Sequence, residues 1–211
     1  MTALLTIFVS SFVIALSGAM MPGPLLTATI SESPIRGITA GPLLILGHGI
    51  LELALVIAIL AGLAPFFQST WLFTVIAFAG SAILLWMAVN MFRSLPNLSL
   101  SKNDNSSAGN RLIINGVLLS ISNPYWTLWW ATIGLGYILQ SQHYGLWGIV
   151  FFFSGHILAD LAWYTSVSAG FARGRHFLNN HVYRMIIGTC AALLVVFAGY
   201  FFYAGLVKIV I

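Results

Sequence analysis

Six stretches of the chain are almost free of charged side chains, near 3–31, 39–63, 70–92, 112–139, 145–170 and 184–207, and more polar segments separate them. A helix needs about 20 apolar residues to cross the hydrocarbon core of a bilayer. Each stretch therefore predicts one crossing, and six crossings return the chain to the side on which it began. The expected fold class is all-α integral membrane, with six transmembrane helices. Residues 94–110, which include the Ser/Asn-rich run PNLSLSKNDNSSAGN, form the one strongly polar interruption and divide the chain near its midpoint. They read as a linker between a first three-helix unit, 1–93, and a second, 111–211.

Three crossings per unit make the second unit start on the opposite side from the first, so a repeat between them has to be inverted. The sequence contains one. GHGILELA (47–54) aligns without gaps on GHILADLA (155–162), matching Gly47 with Gly155, His48 with His156 and Glu52 with Asp160, and the same offset matches Gly80 with Gly188. Earlier in each unit PGPLLT (22–27) corresponds to SNPYWT (122–127), matching Pro24 with Pro124 and Thr27 with Thr127. Each match is weak alone. Their common order in both units argues for internal duplication.

The first and fourth stretches run to almost thirty residues, more than one straight crossing requires, and each carries its helix breaker inside. A proline removes a backbone donor and displaces the carbonyl one turn earlier. Pro22-Gly23-Pro24 and Asn123-Pro124 thus predict interrupted first and fourth helices, with backbone groups freed at membrane depth. A single break of this kind is most simply a proline kink. Two at corresponding positions are the sequence mark of a transport site. The half-helices that begin at Pro24 and Pro124 would then aim positive dipole ends at an anionic group.

Glu52 and Asp160 fall near the middles of the second and fifth stretches, with no Lys or Arg at that depth. A lone carboxylate there costs several kcal/mol or takes up a proton. His48 and His156 stand four residues before the acids, a spacing that places each pair on one helix face. They read as a proton relay or as ligands for a cationic group, against the plainer alternative of a His bonded to a protonated acid for packing. Tyr125, Trp126, Trp129, Trp130, Trp163 and Tyr164 are mostly expected as packing or interface anchors, and Trp126 and Trp130, one turn apart, as candidates for lining the cavity. Thr27 and Thr127 fit either ligand contact or a bond to their own helix backbone.

Composition agrees with a membrane chain: 60% of the 211 residues are hydrophobic and 6% charged, where soluble domains carry about a quarter charged. The net charge of +4 comes from basic residues too scattered for a nucleic-acid face. They instead set orientation. Arg36, Arg93, Lys102, Arg111, Arg173, Arg175 and Arg184 fall in or beside the first, third and fifth connections, and only Lys208 on the other side. The positive-inside rule places those connections in the cytoplasm and both termini outside. Cys190, the single cysteine, offers neither a disulfide framework nor a thiolate cluster and reads as a small apolar residue. The first stretch ends in the small residues Ser17, Gly18 and Ala19, but no Lys or Arg precedes it, so it is expected as a retained crossing rather than a cleaved signal.

Taken together, Pro-Gly-Pro at the end of the first apolar run, a Gly-rich second stretch with an acid, Asn-Pro in the fourth, and Asp160 followed by Trp163 and Tyr164 resemble the LysE/RhtB family of amino-acid exporters. The resemblance covers nearly the whole chain. It implies a six-helix secondary transporter that exports amino acids or related small metabolites across the cytoplasmic (inner) membrane, driven by protons. Many members carry a Lys directly after Asn-Pro where this chain has Tyr125, and His48 and His156 mark a divergent branch. On that reading Pro22, Gly23, Pro24, Thr27, Asn123, Pro124, Thr127, Trp126 and Trp130 bind substrate, while His48, Glu52, His156 and Asp160 couple protons. The alternative is a divalent-metal exporter that uses the same two histidines and two acids as ligands. No cofactor is expected. Neither a nucleophile elbow, a phosphate loop nor a zincin helix is present to support an enzyme. The expected partners are the bilayer, a small molecule and protons, with a homodimer plausible for a small helical carrier.

Overall fold

A computed structural model of the protein describes residues 1–67, 69–98, 109–174, 177 and 179–210, and among these the chain is helical without strands. The stretch 99–108 of the expected linker lies outside the described residues. Helix α1 (Thr2–Ala19) stops at the Pro-Gly-Pro break, and α2 (Pro24–Arg36) starts on Pro24. A 3-10 turn (Gly37–Thr39), entered through Gly37 at φ 79°, leads into α3 (Ala40–Ala58). Next come α4 (Thr70–Ser94) and α5 (Gly109–Ile121). Beyond the Asn-Pro break, α6 (Pro124–Trp129) passes through a π turn (Trp130–Gly134) into α7 (Leu135–Gln142). Two long helices, α8 (Gly145–Gly174) and α9 (Asn180–Val210), complete the chain.

Among the described residues, five helical segments are long and apolar enough to cross a membrane, Thr2–Ala19, Pro24–Leu63, Thr70–Asn97, Gly145–Gly174 and Asn180–Lys208, and Gly109–Ile121 is a shorter apolar helix. The difference from six even crossings arises at the breaks. The end of the expected first crossing now runs without a gap into the second, because α2 resumes the helix after Pro24. The expected fourth crossing, 112–139, is divided among α5, α6, the π turn and α7. Alone, the 13 residues of α5 rise only about 20 Å.

The helices turn their large apolar residues outward. On α1, Leu5, Val9 and Val13 are half exposed or more, while Ile7, Ser11, Ala15 and Ala19, four apart, are buried. Small inward residues let backbones approach where lipid provides no hydrophobic drive between helices. Ser11 Oγ accordingly reaches Phe152 O of α8 at 2.7 Å. Likewise α5 packs on α3, and α4 on α9, where Ser81 Oγ donates to Ala198 O at 2.8 Å.

The matched glycines sit at two of these contacts. A Cβ on Gly47 would overlap the Ile113 carbonyl of α5, and one on Gly155 would overlap the Phe8 carbonyl of α1. Gly47→Ala and Gly155→Ala should therefore each force a helix pair apart. The expected loss is on the order of 1–3 kcal/mol, as in overpacked cores, read as a lower melting temperature of the purified protein in detergent. Unchanged melting of both variants would show that neither contact is close.

Candidate functional site

The two breaks meet. Gly23 precedes α2 in an extended conformation, and Asn123 Nδ2 lies 3.4 Å from where a Cβ on Gly23 would stand. The two helix starts are finished differently. Asn123 Oδ1 accepts from Tyr125 N at 3.1 Å and caps α6, whereas Gly23 has no side chain and leaves the first turn of α2 without a side-chain cap. Pro24 has no N–H, so the N–H groups left without an intrahelical partner are those of Leu25 and Leu26, and the positive dipole end lies with them.

A cavity of about 70 Å³ opens against these breaks, room for several waters. Pro22, Gly23, Pro24 and Leu25 form one side, Asn123, Tyr125, Trp126, Trp129 and Trp130 another, and Leu194, Phe197 and Phe201 of α9 a third. His48, Glu52, Ser120, His156, Asp160 and Tyr164 also line it, and neither Lys nor Arg is among the described lining residues. Of the residues expected to bind substrate, Pro124, Thr27 and Thr127 do not line it. Pro124 instead packs on Gly80, whereas a Cβ on its counterpart Gly188 would stand 3.5 Å from Leu95 Cδ1. Thr27 Oγ1 donates to Gly23 O at 3.0 Å, within its own helix.

The two His-acid pairs form a single cluster. His48 Nε2 lies 3.0 Å from Glu52 Oε1 and 3.6 Å from Asp160 Oδ2, and His156 Nε2 lies 3.0 Å from Glu52 Oε2 and 3.4 Å from Asp160 Oδ2. All four residues are buried. The i, i+4 spacing built each pair on its own helix; the packing of α3 against α8 joined them.

Around the cluster the hydrogen bonds fix several proton positions. Ser120 Oγ donates its only proton to Gly116 O at 2.6 Å, so its 2.7 Å contact with His48 Nδ1 has the ring nitrogen as donor. His48 Nε2 therefore carries a lone pair whenever the ring is neutral. Glu52 Oε1 already accepts the indole N–H groups of Trp126 at 3.1 Å and Trp130 at 2.8 Å. A neutral His48 beside an ionised Glu52 would set lone pair against lone pair, so the contact calls for a proton or another cation between them. The His156 ring is held by Trp129 and Trp130, with centroids 4.7 and 5.2 Å away. Ser120 and the α9 wall escaped the sequence reading; the spacing Gly116-x3-Ser120, a small-residue helix contact, was the available signal for the former.

The family model of the LysE type translocators matches residues 16–205, nearly the whole chain. The chain belongs to the LysE type translocator family. No curated protein and no solved structure is similar enough to match it. As a LysE type translocator it is a multi-pass membrane transporter acting on a small molecule, and the sequence resemblance is borne out at the level of the family. In this LysE type protein the cavity, the abutting breaks and the acid cluster occupy one place.

Proposed function

We propose that this translocator exports an amino acid or a related small metabolite across the cytoplasmic (inner) membrane by alternating access, exchanging protons through His48, Glu52, His156 and Asp160. The observation that carries the reading is the meeting of both helix breaks beside a buried acid cluster, inside a chain of the LysE type family. An uncapped helix start beside Pro24 suits a carboxylate. Two acids with no Lys or Arg among the described lining residues suit an ammonium group or a proton. The opposite ends of a zwitterion match these two chemistries, with Trp126 and Trp130 between them. Family membership favours such an organic cargo over a divalent metal ion as the exported species.

In this reading the chain is six crossings in two inverted three-helix repeats, 1–93 and 111–211, with both termini outside. Helix pairing supports it: exchanging the units converts the contact of α1 with α8 into that of α5 with α3, and α4 with α9 into itself. Gly47 and Gly155 hold equivalent places in those contacts. Rocking one unit against the other would open the shared cavity alternately to each side.

The test is flux in proteoliposomes under an imposed pH gradient, screened over the common amino acids. At least one should move, and a protonophore should abolish its accumulation. Silence across the whole set would overturn the substrate class, and flux indifferent to the protonophore would overturn the coupling.

A further inference from the structure

We infer that His48, Glu52, His156 and Asp160 form a binding site for one divalent transition-metal ion of the zinc type. One ligand atom from each residue lies within 4.8 Å of all the others. With Glu52 Oε2 as that residue's ligand atom, the separations of 3.0 Å from His156 Nε2 to Glu52 Oε2, 3.4 Å from His156 Nε2 to Asp160 Oδ2 and 3.6 Å from His48 Nε2 to Asp160 Oδ2 are close to the edge of about 3.4 Å that a tetrahedron has when its metal–ligand bonds are about 2.1 Å.

The directions of the contacts say more than their lengths. His156 Nε2, Glu52 Oε2 and Asp160 Oδ2 are buried and make no hydrogen bond, although the nitrogen is 3.0 and 3.4 Å from the two oxygens. An N–H along the ring axis of His156 therefore points at neither oxygen. Buried polar atoms at such distances ordinarily pair. These face a common centre, which a single cation satisfies and a set of pairwise bonds does not. The tautomer of His48 agrees, because Nδ1 donates to Ser120 Oγ and leaves Nε2 as the coordinating atom, an arrangement that orients metal-bound histidines.

Charge and donor type narrow the ion. Two carboxylates and two neutral imidazoles balance a divalent cation, so the occupied site is neutral in a low-dielectric surrounding. Two imidazole nitrogens favour zinc, cobalt or nickel over magnesium or calcium, which prefer all-oxygen sets. All four tetrahedral positions come from the protein, the character of a site that holds its ion. The metal and the protons compete for the same atoms, so the metal-loaded carrier cannot pass protons through this cluster. That consequence rests on the proton-coupled reading above; the site itself does not.

Purified full-length protein, stripped with chelator and titrated with zinc alone by calorimetry and elemental analysis, should bind one ion per chain, with affinity falling as pH is lowered. Cobalt in its place should give the intense visible bands of tetrahedral coordination. Ser120→Ala should weaken zinc about 10–100-fold by releasing the His48 ring, and the His48→Gln/His156→Gln pair should abolish stoichiometric binding. His143→Gln/His181→Gln, at two exposed histidines, should leave it intact. Absence of stoichiometric zinc in the wild-type protein, an octahedral cobalt spectrum, or undiminished affinity in Ser120→Ala would each overturn the inference. The Ser120 and cobalt measurements decide it even if the double-histidine variant fails to fold.

Discussion

Glu52→Gln is expected to abolish pH-driven flux while the protein stays folded in the membrane, and Glu52→Ala to lose both. The difference follows from what the carboxylate does. Its Oε1 accepts two indole N–H groups and its Oε2 faces His156, so this one side chain ties α3 to α6, the π turn and α8. Glutamine keeps an oxygen for Trp126 and Trp130 but cannot exchange a proton at neutral pH. Alanine leaves both indoles without their acceptor in a buried place and takes from both histidines the nearer of their two carboxylates. Removing one member of a buried charged set typically costs about 3–5 kcal/mol. Thermal melts in detergent, read beside proteoliposome flux, separate the two effects. Full pH-driven flux in Glu52→Gln would remove the acid from the coupling scheme, and a wild-type melt in Glu52→Ala would deny its anchoring role.

The sequence revealed the parts of this site more readily than their assembly. Hydropathy gave the membrane class, and prolines at matching offsets located both breaks, because a missing backbone donor is a local property of Pro24 and Pro124. The four-residue spacing revealed each His-acid pair for the same reason. What joins them is not local. The contact of His156 with Glu52 spans more than a hundred residues of sequence, and helical periodicity specifies a face without naming the helix that covers it. Trp126 and Trp130 illustrate the limit: their spacing put them on one face, but only packing shows that this face meets Glu52. The fourth crossing was also smoother in the sequence than in the structure. The π turn at Trp130–Gly134 has no composition signal comparable to a proline.

The duplication also conceals an asymmetry. Glu52 and Asp160 occupy equivalent positions in the repeat, yet their surroundings differ. Glu52 Oε1 accepts two indole donors, whereas among the described residues Asp160 Oδ2 has no hydrogen-bond partner and lies 3.4 and 3.6 Å from the two histidine nitrogens. The first unit has no counterpart of Trp126 and Trp130 to bond Asp160, because Leu26 and Ile30 stand where the offset of the breaks would place indoles.

Asp160→Asn should accordingly disable coupling at little cost to the fold. The amide is nearly isosteric, and the wild-type oxygen anchors no donor that the substitution would leave unpaired, so the expected stability change is about 1 kcal/mol or less. Flux driven by a pH gradient should disappear, whereas exchange of labelled substrate across liposomes without a gradient should continue. The acid free of indole bonds is then the one whose proton moves, and Glu52 is the fixed charge against which it moves. A large fall in melting temperature in Asp160→Asn would reverse that division and make Asp160 a structural member of the cluster. Retained pH-driven flux would exclude it from the proton route altogether, leaving His48, His156 and Glu52 to carry the exchange.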